Sequence, residues 1–278
     1  MPVKKIGLVA AQSKLEAEAL SVEIASWLRG RHCEVIPEES LTPEVLPGLD
    51  AIVVLGGDGL MMRAGNAYPD VPLLGINFGK VGFLALVERR NWRTALEALV
   101  GGNYSIEESS TLSASIERQE GELAFGSAIN DVVIRGGVRM VDVEVYIDGH
   151  YVNTYPGDGM IVSTPRGSTA YCMAAGGPIL TAGVRGLAIV PISCHSPIRT
   201  PLVIAESSRV ELLLANRHDA SLILDGRPVA ELQYRDTIRV TKGPHNFRLV
   251  SFGETDFYEA FRTKFNFRIR PDAVPSRR

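Results

Sequence analysis

The sequence predicts an α/β domain over residues 1–105 and an all-β, sandwich-like domain over residues 106–254. In about the first hundred residues, strand-like and helix-like segments alternate, a pattern typical of a parallel sheet with crossover helices. After about residue 105, short strand-like segments follow one another with turn residues between them, which favours an antiparallel β-sandwich. The length agrees with two domains, because 278 residues exceed what one hydrophobic core usually accommodates.

The first domain is expected to begin with a strand over Lys5–Ala10. A helix follows, because Ser13–Glu16 has the pattern of a capping box and the apolar positions up to Leu28 lie on one helical face before Gly30. The further elements expected in this domain are strands over Cys33–Ile36, Ala51–Leu55 and Pro72–Asn77, a short helix over Leu60–Tyr68, and a helix from Asn91 to Val100.

The second domain is expected to consist of short strands joined by turns such as Asp148-Gly149 and Asp225-Gly226. A last helix is expected over Thr255–Phe265, in which phenylalanine recurs at every fourth position. The predicted strands are Thr111–Ile116, Asp131–Ile134, Val141–Ile147, Gly149–Thr154, Met160–Ser163, Leu187–Ile192, Leu202–Ile204, Arg209–Leu214, Ser221–Leu224, Thr237–Val240 and Phe247–Phe252.

Composition excludes several classes of protein. A formal net charge of −3 gives no reason to expect nucleic acid or an anionic membrane as a partner. The sequence has neither a signal peptide nor an apolar run near the ~18 residues that a membrane helix needs, so we expect a cytoplasmic protein. Its three cysteines show no zinc-ligand spacing and are interpreted as buried thiols in a reducing compartment.

The leading motif is Gly56-Gly57-Asp58-Gly59, directly after the strand Ala51–Leu55. Ligands of open α/β sheets lie beyond the carboxyl ends of the strands, where glycines and a helix N-terminus let backbone amides approach phosphates. A carboxylate would repel phosphates, so Asp58 is interpreted as the group that accepts a proton from an attacking hydroxyl. The alternative is a turn that closes a β-hairpin, but Leu60–Ala64 prefers helix to strand.

Two further glycine-containing segments follow predicted strands. Gly75–Leu84 has the wrong spacing for a P-loop, and Gly57–Gly59 lacks the third glycine of the dinucleotide fingerprint. The longest segment, Gly157–Tyr171, reads as a strand, a hydroxyl-rich loop and a helix start, and it leads into Gly176–Pro178. Such a loop offers hydrogen-bond donors and one aromatic ring, which suit a sugar and a base.

Together these motifs resemble those of NAD kinases. The resemblance runs, in the family's order, through Gly56–Gly59, Asn77–Leu84, Asn130–Val133, Asp158–Tyr171 and Gly176–Pro178. The Gly-Gly-Asp-Gly motif alone is weak, because diacylglycerol and sphingosine kinases share it. The run from Asp158 to Tyr171 is highly specific for NAD kinases.

The resemblance implies transfer of the γ-phosphoryl group of ATP to the 2′-hydroxyl of the adenosine ribose of NAD, giving NADP and ADP. It implies an NAD-binding β-sandwich and a C-terminal helix, about residues 255–270, that completes the first domain. It also implies a homodimer or homotetramer. Mg²⁺ or another divalent cation would be held mainly through the ATP phosphates, with no protein metal ligand assigned.

The resemblance assigns roles to individual residues. Asp58 matches the proposed general base, and Asn130 and Asp131 would hold ribose hydroxyls. Arg139 matches a basic family position only across a small gap, and Arg227 matches a variable contact. The substrate- and nucleotide-binding residues expected in full are Gly57, Gly59, Arg63, Phe83, Asn130, Asp131, Arg139, Asp158, Thr169, Ala170, Tyr171, Ala174, Asp225 and Arg227.

Three departures from the family pattern leave questions open. Leu60 replaces a frequent threonine, Arg166 replaces a frequent small residue, and Pro156 stands where some bacterial relatives carry arginine. The last difference leaves the choice between NAD and NADH open. The choice between ATP and polyphosphate as phosphoryl donor is also open.

A lipid kinase and a non-enzymatic dinucleotide sensor are the competing interpretations. His195 suggests a hydrolase triad, but no nucleophile elbow accompanies it, and a structural role is expected.

Overall fold

The computed structural model describes residues 3–12, 14–78, 82–118, 121–181 and 183–252. The chain divides into two compact units. One comprises Met1–Met61, Pro72–Glu107 and the segment from Leu249, and the other comprises Met62–Val71 and Glu108–Arg248. The predicted helix over Thr255–Phe265 lies outside the described residues, as does Ser13 of the predicted capping box.

The first unit contains a parallel sheet with strand order β2-β1-β3-β4. Every residue of β3 and β4 is buried, as is usual for parallel strands covered on both faces. The residue Leu249 of the last strand, β17, pairs in parallel with Leu73 of β4. The strands of this unit are β1 (Lys5–Ala10), β2 (Glu34–Pro37), β3 (Ala51–Leu55), β4 (Leu73–Asn77) and β5 (Val87–Glu88).

The helices of the α/β part are α1 (Leu15–Arg29), α2 (Asp58–Ala67) and α3 (Trp92–Val100). α1 begins one residue after the start that the capping box predicts, with Lys14 as its N-cap and no side-chain cap hydrogen bond. It buries Ala17, Leu20, Ile24 and Leu28, a spacing of three and four residues that lies on one helical face. α2 begins at Asp58 itself, so the predicted catalytic residue lies in the first turn of a helix.

The second unit contains two antiparallel sheets around one core. One sheet has the order β13-β12-β11-β8-β15-β16, and the other contains β10-β9-β14-β17 together with β6 and β7. Side chains of both sheets, for example Val143 and Leu212 on one and Val162 and Leu222 on the other, share a buried cluster. This is the arrangement of a β-sandwich.

The strands of the second unit differ from the sequence-based expectation at several places. Those expected over Thr111–Ile116 and Gly149–Thr154 extend over Ser105–Arg118 and His150–Gly157. Gly121–Ala128 and Arg227–Leu232 form strands that the sequence analysis did not predict. Thr237–Ser251 is one strand where two, Thr237–Val240 and Phe247–Phe252, were predicted. A Cβ on Gly243 would lie 2.2 Å from the Thr111 hydroxyl oxygen, so the strand packs closely there. The strands are β6 (Ser105–Arg118), β7 (Gly121–Ala128), β8 (Asp131–Gly136), β9 (Val141–Ile147), β10 (His150–Gly157), β11 (Gly159–Ser163), β12 (Gly186–Ile192), β13 (Leu202–Ala205), β14 (Val210–Leu214), β15 (Ala220–Leu224), β16 (Arg227–Leu232) and β17 (Thr237–Ser251), with a short helix α4 (Tyr171–Ala174).

Candidate functional site

The Asp58 carboxylate binds three successive backbone N–H groups of the segment that follows β4. Its Oδ2 accepts from Phe83 at 2.7 Å, and its Oδ1 accepts from Leu84 at 3.0 Å and from Ala85 at 3.1 Å. A carboxylate has about four acceptor positions, so one position on Oδ2 has no partner among the described residues. Asp58 is therefore held rigidly by the protein and still has room for one more donor.

Gly82 explains why this segment can approach Asp58 so closely. A Cβ on Gly82 would lie 1.7 Å from Asp58 Oδ1, which no side chain could tolerate. The segment ending in Gly82-Phe83-Leu84 was predicted from the sequence, but its amides had no predicted partner. In the structure the amides of Phe83 and Leu84, together with that of Ala85, donate to Asp58.

A cavity of about 460 Å³ lies in the second unit. Its volume falls within the ~300–1,000 Å³ typical of small-molecule sites. Strand β8 contributes alternate residues, which point to the same face of a sheet. The lining residues are Met62, Asn130, Asp131, Val133, Arg135, Ala170, Tyr171, Ile223, Asp225 and Gly226.

The backbone N–H and carbonyl groups of Ile129–Asp131 form hydrogen bonds with neighbouring segments on two sides. On one side, its N–H groups donate to the Asp225 carboxylate at 2.8, 2.7 and 3.2 Å. On the other side, the Thr164 hydroxyl donates to the Ile129 carbonyl at 2.7 Å, and the Thr164 N–H donates to the Asn130 carbonyl at 2.9 Å. A Cβ on Gly167 would lie 2.1 Å from the Asn130 carbonyl oxygen, so this loop packs directly on the same backbone.

The Asp131 side chain is an ionisable group in an unfavourable place. Only 4% of the residue is exposed. Burial, together with the nearby negative charge of Asp225, raises the pKa of Asp131 to about 7. Near neutral pH this carboxyl group exists in both forms, so it can donate or accept a hydrogen bond with a hydroxyl in the cavity.

Arg135 is a cavity residue that the sequence analysis did not identify. Its guanidinium donates a hydrogen bond to the Tyr171 hydroxyl and lies 5.9 Å from the centre of the Tyr171 ring. The available signal was the alternation of β8, since Asp131, Val133 and Arg135 occupy every second position. The contact with Tyr171 itself joins residues 36 positions apart and has no local pattern.

The structure brings together some of the predicted site residues. Asn130, Asp131, Ala170, Tyr171 and Asp225 line the cavity of the second unit. The lining of this cavity does not include five other described residues that were predicted to bind nucleotide: Arg139, Asp158, Thr169, Ala174 and Arg227. The other predicted residues lie around Asp58 in the chain or bind it. Gly57 directly precedes helix α2, and Gly59 and Arg63 lie within it. Phe83 belongs to the segment whose N–H groups bind the Asp58 carboxylate.

His195 lies at a separate open cavity of about 850 Å³ in the second unit, beside Ser193 and Arg199. None of the residues that line this cavity also lines the cavity of Asp131 and Tyr171. Within the described part of the chain, no three or more His, Cys, Asp or Glu side chains are placed to hold a metal ion. No helix in that part is long and apolar enough to cross a membrane.

The sequence matches known domains and proteins over most of its length. The profile of the ATP-NAD kinase N-terminal domain matches residues 43–104, and that of the ATP-NAD kinase C-terminal domain matches residues 129–252. The NAD kinase of Thermomicrobium roseum is 55% identical over 275 residues, covering 99% of this chain and 96% of that protein. The NAD kinase of Geobacter metallireducens is 36% identical over 280 residues, with coverage of 95% and 99%.

Two solved structures are similar to the chain. Yeast NADH kinase complexed with NADH has a TM-score of 0.87 at 18% identity, covering 100% of this chain and 90% of that one, which shows likeness in fold. An NAD kinase from Archaeoglobus fulgidus in complex with ATP has a TM-score of 0.75 at 25% identity, covering 94% and 97%.

Proposed function

The chain belongs to the NAD kinase family, and we infer from this that it is a phosphotransferase acting on NAD. It transfers the γ-phosphoryl group of ATP to the 2′-hydroxyl of the adenosine ribose, giving NADP and ADP. The predicted fold class and activity are confirmed, with ATP and NAD as substrates.

We propose Asp58 as the general base of this reaction. The observation that supports it most strongly is the carboxylate held by three backbone N–H groups, with one acceptor position on Oδ2 not used by a described residue. A ribose hydroxyl donating to that position would lose its proton to Asp58 as the bond to phosphorus forms. The three N–H groups already hold the carboxylate in its reactive orientation, so no free energy is needed to reorient it during the reaction.

The phosphates of ATP are proposed to lie at the start of α2. The first N–H groups of a helix have no partner within the helix, and the positive end of the helix dipole favours anions. Gly57 and Gly59 leave this approach open, because no described atom lies within 4 Å of a Cβ built on either residue. Phosphoryl transfer requires mainly positioning and charge neutralisation, which such a site supplies.

The adenosine ribose of NAD is proposed to bind in the cavity of the second unit. Asn130 and Asp131 offer an amide and a carboxyl group for its hydroxyls, and the Tyr171 ring offers a flat surface for a base. Met62 of helix α2 lines the same cavity.

Mg²⁺ or another divalent cation is proposed to enter with ATP. Mg²⁺ keeps several waters and binds substrate phosphates with few protein ligands, which fits a site whose Asp58 is largely occupied by N–H groups. When bound, the cation neutralises charge on the transferred phosphoryl group. We also propose a cytoplasmic homodimer or homotetramer; the three cysteines are free thiols, which supports a reducing compartment.

One assay separates the competing functions. The purified protein is given ATP and Mg²⁺ with NAD, with NADH or with diacylglycerol, and phosphorylated products are measured. NADP or NADPH formation is expected, and the two rates settle the preference between NAD and NADH. Phosphorylation of diacylglycerol alone would indicate a lipid kinase, and NAD binding without turnover would indicate a sensor. Polyphosphate in place of ATP tests the phosphoryl donor.

Asp58→Asn tests the proposed base. We expect kcat to fall about 10²–10⁴-fold, the usual contribution of a general base, while NAD still binds. The thermal midpoint should fall as well, because the amide NH₂ of asparagine would face a backbone N–H where a carboxylate oxygen accepted a hydrogen bond. Steady-state kinetics, an NAD titration and thermal unfolding measure the three effects.

Asp50→Asn is the matched control. Asp50 Oδ2 accepts two backbone N–H groups, from Lys4 at 2.7 Å and Lys5 at 2.8 Å, and it has no proposed catalytic role. Both bonds end on one oxygen, which the amide oxygen of asparagine can replace, so the substitution should lower stability less than Asp58→Asn does and should preserve kcat. A near-normal kcat of Asp58→Asn would indicate that Asp58 has only a structural role. Recovery of the variant's kcat at high Mg²⁺ or with Mn²⁺ would indicate that Asp58 binds the metal ion.

A further inference from the structure

Asp225 makes more hydrogen bonds than its turn requires. Asp225-Gly226 joins β15 to β16 with φ of 49° and 75°. Asp148-Gly149 joins β9 to β10 in the same way, with φ of 51° and 82°. Two-residue hairpin turns with positive φ at both positions favour Asp-Gly and Asn-Gly equally well. The turn therefore explains the residue type at both places, but not the contacts of Asp225.

The Asp225 carboxylate has all of its acceptor positions filled by the protein. Oδ1 accepts from the N–H of Asn130 at 2.7 Å and of Asp131 at 3.2 Å, and Oδ2 accepts from the N–H of Ile129 at 2.8 Å and from the Asn66 amide at 3.0 Å. Because a carboxylate has about four acceptor positions, none remains for a nucleotide hydroxyl.

We propose that Asp225 is a positioning residue for the NAD pocket. Its carboxylate fixes the backbone of Ile129–Asp131, so that the side chains of Asn130 and Asp131 are held toward the cavity. Through Asn66 it also ties this segment to the second half of helix α2. The assignment rests on the proposed binding of NAD in this cavity.

The charge of Asp225 gives the proposal a second consequence. Asp131 is faced by Asp225 and, within the cavity, by Arg135 and Tyr171, with the buried Cys172 thiol nearby. Burial and the charge of Asp225 raise the pKa of Asp131. Removing that charge makes ionisation of Asp131 easier, so its pKa falls and any pH dependence of NAD binding that it controls moves to lower pH.

Asp225→Asn isolates the carboxylate, because Asn-Gly suits the turn as well as Asp-Gly. The amide oxygen can accept two hydrogen bonds, and the amide NH₂ would face donors, so at least two of the four bonds are lost. We expect the Kd and the KM for NAD to rise about tenfold while the KM for ATP changes less than about twofold. The midpoint of the pH dependence of NAD binding should also move downward.

Asp148→Asn is the matched control, since its turn is the same and its carboxylate accepts one backbone N–H, from Arg209 at 2.8 Å. It should leave both NAD constants unchanged. An Asp225→Asn protein that loses stability but keeps wild-type Kd for NAD and pH midpoint overturns the proposal.

Asn66→Ala removes one of the four hydrogen bonds of Asp225 and is the variant to use if Asp225→Asn does not fold. It should raise the Kd for NAD about threefold. In that case an unchanged Kd would overturn the proposal. Wild-type protein that binds NAD without phosphorylating it would contradict the proposed function and leave the Asp225 binding test valid.

Discussion

At the scale of residues, three aspartates of the described chain differ in their surroundings. Asp58 and Asp225 each accept three N–H groups of consecutive residues and act as anchors for a loop. Asp131 is buried beside Asp225, and burial together with that neighbouring charge raises the pKa of its carboxyl group. Backbone N–H groups can therefore fix a carboxylate in place, whereas burial without such bonds leaves it costly to ionise.

Asp131→Asn should make the protein more stable at alkaline pH. The folded pKa of about 7 lies above the ordinary value of 3.8, so the folded protein favours protonated Asp131. That contribution to stability is complete below about pH 4 and is lost as the pH rises through 7. Asparagine has no such loss, so its advantage over wild type should grow by about 2–4 kcal/mol between pH 4 and pH 8.

Urea unfolding of both proteins at the two pH values measures this difference. A gap that stays constant with pH would mean that Asp131 does not titrate in this range. The same substitution should raise the KM for NAD, because an amide oxygen accepts a hydrogen bond from a ribose hydroxyl more weakly than an ionised carboxylate does. Greater stability with weaker binding is the expected trade-off at a functional site.

At the scale of elements, the loop between β3 and α2 combines two kinds of glycine. A Cβ on Gly56 would lie 2.6 Å from the Leu60 side chain, so the packing of the loop requires glycine there. Apart from their neighbours along the loop and helix, Gly57 and Gly59 have no described atom within 4 Å of a Cβ, so packing does not require glycine at these positions. We expect these glycines to leave room for a ligand.

Gly57→Ala should therefore separate binding from stability. We expect the KM for ATP to rise by about tenfold or more, because the added methyl group would meet the phosphates, while the thermal midpoint stays near that of wild type. Gly48→Ala, whose Cβ also has nothing within 4 Å, is the control and should change neither quantity. An unchanged KM for ATP in Gly57→Ala would remove this loop from the phosphate site.

At the scale of the whole molecule, the C-terminal segment is the part whose role stays a prediction. The last described residues, Val250–Phe252, line a cavity of about 410 Å³ in the first unit together with apolar side chains such as Leu84 and Val87. The phenylalanines of the predicted helix over Thr255–Phe265 offer an apolar stripe. We predict that this helix packs on the first domain.

A chain that ends at Glu254 tests this prediction. We expect it to be less stable than the full chain, and Phe261→Ala to cost about 3–5 kcal/mol, as is usual for a phenylalanine in a core. Chemical denaturation of the full chain, the shortened chain and Phe261→Ala measures both effects. If the shortened chain were equally stable, the predicted helix would not belong to the core of the first domain.

The sequence by itself determined the local structure and the family. The limits of β1, β3 and β9 coincide with the predicted ones, because their apolar residues form runs or alternations with clear ends in the sequence. The Gly-Gly-Asp-Gly motif after β3 and the run from Asp158 to Tyr171 were sufficient for the resemblance to NAD kinases, because their residue types and order are those of the family. The strands β7 and β16 were missed, because glycine and proline weaken their local pattern.

Only the tertiary structure decided which groups meet at the site. The three amides on Asp58 come from residues 25 to 27 positions further along the chain, and Asn66 lies 159 positions before Asp225. Arg135 reaches Tyr171 because β8 and the loop before α4 converge on one cavity. Such contacts depend on the order of strands in a sheet and on loop packing, which local periodicity does not encode. For this reason the sequence identified Asp225 as a site residue, and the structure was needed to find the four groups that its carboxylate holds.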